Sequence, residues 1–202
     1  MISAIILAAG ESRRMGVKNK LLLPINGEVL ISNYVKSVCA SNVDEVVVVV
    51  GHEAKKIEDV LQGQPVRFVE NMRYRDGMTS SIQTGILAVS AESEGLLICL
   101  ADQPFIETSE FNRLIHEFTY LFDSESSLII VPVFKGQRGN PVLFSCQFRD
   151  IILQHKGEGC RDIVLKHPEC VQEVEMGNDN VLQDVDTLED YKMFCSDKNS
   201  II

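Results

Sequence analysis

Two spacings alternate along the chain. Short apolar or β-branched runs recur at Ile2 to Leu7, Glu45 to Val50, Val66 to Val69, Gly95 to Leu100 and Leu128 to Pro132, and each reads as a strand. Between them, Val29 to Ala40, Ala54 to Leu61, Met78 to Val89 and Ser109 to Phe122 carry helical spacing. Val46 to Val50 and Leu96 to Leu100 are apolar on both faces, as central parallel strands covered by helices on each side must be. The pattern then changes. Phe134 to Gly139 is turn-rich between Ile129 to Phe134 and Pro141 to Phe144, which predicts a hairpin-like excursion adding an antiparallel strand. The expected fold is α/β, a Rossmann-like three-layer α/β/α sandwich with a mostly parallel sheet plus that excursion.

At 202 residues, 45% of them hydrophobic and 24% charged, the chain suits one globular domain able to bury its own core. We expect residues 1–202 to form that domain, with a nucleotide-binding half over about 1–110 and an acceptor-binding half over about 128–190. No apolar run approaches the ~20 residues of a membrane span, and Met1 to Leu7 leads into a polar loop rather than a cleavage site, so the expected location is the cytoplasm. Ser196 to Ile202 reads as a frayed end. Cys39, Cys99, Cys146, Cys160, Cys170 and Cys195 form no C-x-x-C pair and read as reduced thiols; His155, Cys160, His167 and Cys170 match no structural zinc spacing. A net charge of −10 argues against a polynucleotide partner, yet cations are gathered in the first loop, where a small anion can be held.

That loop is the most informative segment. After the first strand, Leu7, Ala8, Ala9 and Gly10 lead through Ser12, Arg13 and Arg14 to Gly16, Lys18, Lys20 and Pro24. Small residues let backbone N–H groups approach an anion, and guanidinium and ammonium groups supply charge to a phosphate leaving water. The spacing is neither G-x-x-x-x-G-K-S/T nor G-x-G-x-x-G, so this is a third kind of phosphate loop.

In an open α/β sheet the ligand crevice lies beyond the carboxyl ends of the strands, and further polar groups fall there. Asp102, at the end of the run Leu96 to Ala101, either presents a hard oxygen to Mg²⁺ or caps the turn before Pro104. Asp184 and Asp186 share one face of an extended segment ahead of a helix opened by Thr187 and Asp190; Asp186 is the chosen metal partner of Asp102, with a structural capping role as its alternative. Asn71, Gly77 and Met78 to Ser81 open a helix, where they grip a base edge or a phosphate, or act as an ordinary cap. Gly139 to Val142 and Gly157 to Arg161 are glycine-marked segments of the second half, candidates for an acceptor pocket or plain turns. No serine, cysteine or histidine has a placed base, so no activated protein nucleophile is expected.

Taken together, Leu7 to Gly10 with Ser12, Arg13 to Gly16 and Lys20, the Gly77-Met78-x-x-Ser81 loop, Asp102-Gln103-Pro104, Gly139 to Val142 and Asp184 to Thr187 resemble the molybdenum cofactor cytidylyltransferase branch of the GT-A-like nucleotidyltransferases, nearly end to end. Ala9 stands where the guanylyltransferase branch tends to carry a second glycine, and Gly157 to Arg161 departs from that family's glycine-aspartate-glycine-alanine-arginine while keeping Arg161. The resemblance implies CTP as substrate, Mg²⁺ or Mn²⁺ as metal, a molybdopterin-type acceptor, and a molybdenum hydroxylase or its chaperone downstream. It implies Arg13, Lys20 and Asp102 as catalytic residues. Leu7, Ala8, Ala9, Gly10, Ser12, Asn71, Gly77 and Ser81 join Arg13 and Lys20 on the nucleotide, Asp102 and Asp186 hold the metal, and Gln103, Asn140, Pro141 and Arg161 bind the acceptor. Transfer to another small phosphate such as a sugar phosphate, and a non-catalytic chaperone that delivers cofactor, are the competing readings.

Overall fold

The computed structural model describes residues 1–15, 19–25 and 27–196, and for Ser196 the backbone alone. Gly16 and Lys18 of the first loop, and residues 197–202, lie outside the described residues. The chain runs β1 (Ile2–Ala8), β2 (Pro24–Ile25), β3 (Glu28–Val29), α1 (Leu30–Cys39), β4 (Glu45–Val50), α2 (Ala54–Val60), β5 (Arg67–Glu70), α3 (Met78–Ala88) and β6 (Gly95–Leu100). It continues through α4 (Thr108–Leu121), β7 (Ile129–Phe134), β8 (Gln137–Arg138), β9 (Val142–Ser145), α5 (Arg149–Gln154), α6 (Arg161–Lys166), β10 (Val171–Glu175) and α7 (Leu188–Ser196).

The main sheet has the order β10-β7-β9-β6-β1-β4-β5, with β8 paired to β7. β6, β1, β4 and β5 are parallel neighbours, and β10 is parallel to β7. β9 is antiparallel to both β6 and β7, so the excursion inserts its strand between them instead of adding it outside. The three-layer expectation holds, and the alternation of β1 shows how it arises. Ala4, Ile6 and Ala8 face one core with Val46, Val48, Leu30 and Phe111, while Ile5 faces a second core with Val47, Val49, Ile82 and Phe144. Burying one such aliphatic side chain contributes roughly 1.5–3 kcal/mol, so the two layers together fasten the sheet.

Two features aim the sheet's upper end. Gly85 faces Ile5 so closely that a Cβ there would overlap the Ile5 Cγ2 methyl, which lets α3 lie against β1 and β4. The turn from β6 places Asp102 beside the first loop. β10 escaped the sequence pattern because its Val-Gln-Glu-Val-Glu buries only Val174 along an outer edge; α5 and α6 escaped it because six residues carry too little periodicity.

Candidate active site

The first loop is held by its own polar groups. Ser12 adopts φ 51°, its hydroxyl accepts the Lys20 backbone N–H at 3.1 Å, and its carbonyl accepts Met15 N–H at 2.8 Å. Asn19 Oδ1 caps the short 3-10 turn Lys20–Leu22 through Leu21 N–H at 3.1 Å. These contacts turn the Lys20 side chain inward. Its Nζ donates to Asp102 Oδ2 at 2.7 Å and to Asp186 Oδ1 at 2.9 Å. Burial alone would lower the Lys20 pKa, but Asp102 and Asp186 outweigh it and hold the ammonium above its ordinary value.

The acidic segment arrives from the far side. Thr187 and Asp190 form the expected capping pair, with Thr187 N–H on Asp190 Oδ2 at 2.7 Å and Asp190 N–H on Thr187 Oγ1 at 3.2 Å. Arg14 Nη1 meets Asp186 Oδ2 at 2.7 Å. Asp184 stands in the same cleft, and burial first, then Asp186 and Asp102, push its carboxyl above the ordinary carboxylate value.

The cleft they enclose has a volume of about 440 Å³. Leu7, Ala9, Gly10, Ser12, Arg13, Lys20, Gly77, Ser81, Asp102 and Asp186 all line it, so loop cations and distant aspartates face one space. Gly10 presents open space where a Cβ would stand, as a backbone approached by a ligand requires. The donor set also suits a divalent cation: three carboxylates converge, and Asp102 Oδ1 is buried with no hydrogen-bond partner among the described residues.

The remaining expected residues lie elsewhere. Ala8 turns into the core beneath α1. Asn71, 2% exposed, sits behind the cleft wall, donating to Ser80 Oγ at 2.9 Å and Ser81 Oγ at 3.0 Å while its Oδ1 accepts Arg73 N–H at 2.9 Å. Its amide supports the wall. Gln103 and Asn140 converge on the Val181 carbonyl, and Pro141, after a cis peptide bond, is buried. Arg161 is exposed at the start of α6, two residues past Gly159, whose N–H donates to Thr79 Oγ1 at 2.9 Å beside the cleft-lining Met78. Thr79 also donates to the Gly157 carbonyl, so it clips this loop rather than capping α3, which opens at Gly77 with φ 102°.

Other cleft residues were not anticipated. Glu11 gathers Arg13 at 2.6 Å and Arg75 at 3.4 Å, and these guanidiniums, Arg13 first, hold its carboxyl below the usual value. Tyr74 carries the Arg75 guanidinium 5.3 Å from its ring centroid. The signal for these residues was the repeated arginine of Arg73 and Arg75 just before the Gly77 turn. At the opposite end of the sheet, His167, Glu169 and Cys170 bring ligand atoms within 4.8 Å of one another, without His155 or Cys160. Among the described residues no helix is long and apolar enough to cross a membrane.

Comparison with known proteins decides the family: the MobA-like NTP transferase domain matches residues 4–171. The chain belongs to that family. Its relatives include the purine catabolism protein PucB of Bacillus subtilis, 31% identical over 94% of this chain and 93% of PucB. Another is nicotine blue oxidoreductase of Paenarthrobacter nicotinovorans, 27% identical over 93% of both chains. Among solved structures, a nucleotidyl transferase from Methanothermobacter superposes with a TM-score of 0.83 at 26% identity, covering 98% of this chain and 97% of that one. As a MobA-like nucleotidyltransferase, the chain has its cleft at the carboxyl ends of β1 and β6, where the fold class expects a ligand.

Proposed function

We propose that this nucleotidyltransferase is a CTP:molybdopterin cytidylyltransferase, transferring CMP to the terminal phosphate of a molybdopterin-type acceptor and releasing pyrophosphate. The observation that carries the reading is Lys20, which reaches Asp102 and Asp186 together inside a cleft floored by the glycine loop. Ala9 on the cleft wall, in place of a second glycine, supports cytosine as the base.

In this reading Arg13, Arg14 and Lys20 lie along the triphosphate, and the loop N–H groups donate to its oxygens, so charge building on the leaving pyrophosphate is met by fixed donors. Asp102, with Asp186 or Asp184, would hold Mg²⁺ or Mn²⁺, which when bound supplies charge neutralisation and a template for the phosphates. The acceptor phosphate forms a bond to the α-phosphorus as the bond from that phosphorus to the departing pyrophosphate oxygen breaks. A phosphate monoester with a second pKa near ~6 is already largely dianionic at neutral pH, so no side chain has to remove a proton. Orientation and charge supply the rate.

The test is pyrophosphate release from CTP, GTP and ATP with molybdopterin or a panel of sugar phosphates as acceptor, with and without Mg²⁺, beside calorimetric binding of the same ligands. Fast release from CTP alone supports the reading; preference for sugar phosphates moves the acceptor. Tight binding without release identifies a delivery chaperone for a molybdenum hydroxylase, and a reaction of the kind named for the Paenarthrobacter relative would also release none.

A further inference from the structure

Gln103, Asn140 and Gly139 meet at one atom. The Val181 carbonyl accepts Gln103 Nε2 at 3.2 Å and Asn140 N–H at 3.0 Å, and a Cβ on Gly139 would overlap the same oxygen. Gln103 is 2% exposed and Val181 fully buried, so these bonds are made away from water. Four residues further on, Val185 N–H donates to the Asp102 carbonyl at 2.9 Å. The neighbours Asp102 and Gln103 thus grip the chain at 185 and 181, on either side of Asp184 and just before Asp186. Asn180 adds a third hold, donating through Nδ2 to Glu110 Oε2 at 3.0 Å.

The segment needs such holds. Residues 183–187 lie between the 3-10 turn Asn180–Leu182 and α7, outside any sheet ladder, so point contacts alone set where the carboxylates stand. Two donors on one carbonyl use both of its lone pairs, and the missing Gly139 side chain lets the strands' connection approach it.

We propose that Gln103, with Gly139 and Asn140, is a positioning residue that sets Asp184 and Asp186 opposite Asp102, instead of a residue touching the acceptor. The inference rests on the function proposed above for what the aspartates hold, but not for the packing it describes. A carboxylate misplaced by 1 Å costs on the order of 10²-fold in rate, so a residue outside the cleft can govern turnover.

Two variants test it from opposite sides: Gln103→Met removes the donor at similar length, and Gly139→Ala pushes the Val181 carbonyl away. Amide hydrogen exchange of a peptide covering residues 181–187 is compared with peptides from β1 and β6, and steady-state kinetics are run with CTP, Mg²⁺ and molybdopterin. We expect exchange in 181–187 to quicken about fivefold or more, the effect of losing one buried hydrogen bond, with β1 and β6 unchanged. With it, kcat falls by about tenfold or more while the acceptor KM stays put. Unchanged exchange in both variants overturns the inference, as does a rise in acceptor KM in Gln103→Met at constant kcat. If wild-type protein turns over no CTP, the proposed function fails and the exchange measurement still decides this point.

Discussion

Lys20 and Asp102, 82 positions apart in the chain, meet at 2.7 Å, and the same ammonium holds Asp186. One cation therefore offsets two of the three aspartates in the cleft. Lys20→Ala should lower kcat/KM for CTP on the order of 10²-fold, the usual cost of removing one aimed charged donor. It should also leave the carboxylates repelling one another, so its melting temperature falls without divalent ion and recovers on adding Mg²⁺ more than in wild type. Differential scanning fluorimetry across a Mg²⁺ series reads both.

Asp102→Asn keeps the shape of the side chain and its backbone carbonyl, which accepts from Val185. The variant should retain its far-UV circular dichroism and lose metal-dependent pyrophosphate release. Wild-type protein treated with a chelator should match it, and full activity in the variant would remove Asp102 from the metal site.

The contact between α3 and β1 leaves no room for a methyl group on Gly85. Gly85→Ala must shift the helix or force Ile5 from its rotamer, and we expect a loss of about 1–3 kcal/mol, the cost of overpacking a tight core. Urea unfolding should show the midpoint falling with its slope retained.

Glu45 predicts a pH dependence. Burial pushes its carboxyl up, but Ser90 N–H, the Arg67 guanidinium and the Ser3 hydroxyl outweigh that and leave it below the ordinary carboxylate value. A group depressed in the folded state binds protons more readily when unfolded. Its stabilisation is therefore present above the unfolded carboxylate pKa and is lost as pH falls through the lower folded value. Glu45→Gln should be less stable than wild type at pH 7 in urea titrations, and the difference should shrink steadily in acid.

Burial raises the thiols of Cys99 and Cys160 to about 12, whereas Cys195 is exposed. Iodoacetamide at neutral pH should modify Cys195 first and leave Cys99 and Cys160 protected, as peptide mass mapping would show. Thr79→Val releases the clip on the 157–159 loop and should speed modification of Cys160 about fivefold, equivalent to ~1 kcal/mol of hydrogen bond, without changing Cys99.

Much of the scaffold was legible because central strands have no polar face to disguise them: Gly95 to Leu100 matched the observed strand end for end. The glycine loop and Asp102 were legible for a related reason, since cations and a carboxylate directly after such runs have nowhere to go but the crevice. Asn71, Gln103 and Asn140 could not be placed from the letters, because a buried amide that braces a wall reads the same as one that grips a ligand. Only their partners, Ser80, Ser81 and Val181, tell the two apart. Glu11, Tyr74 and Arg75 joined the cleft through a tertiary approach that no local spacing encodes.

The insertion of β9 between β6 and β7 carries a consequence for biogenesis. On the ribosome, β1, β4, β5 and β6 emerge first and can pair among themselves, but the outer edge of β6 stays uncovered until residues 142–145 are translated and fold back. Until then the apolar edge Gly95 to Leu100 is a template for any other extended chain. Translational pausing within α4 would lengthen that exposure, and nascent molecules halted there should be the ones that chaperones retain.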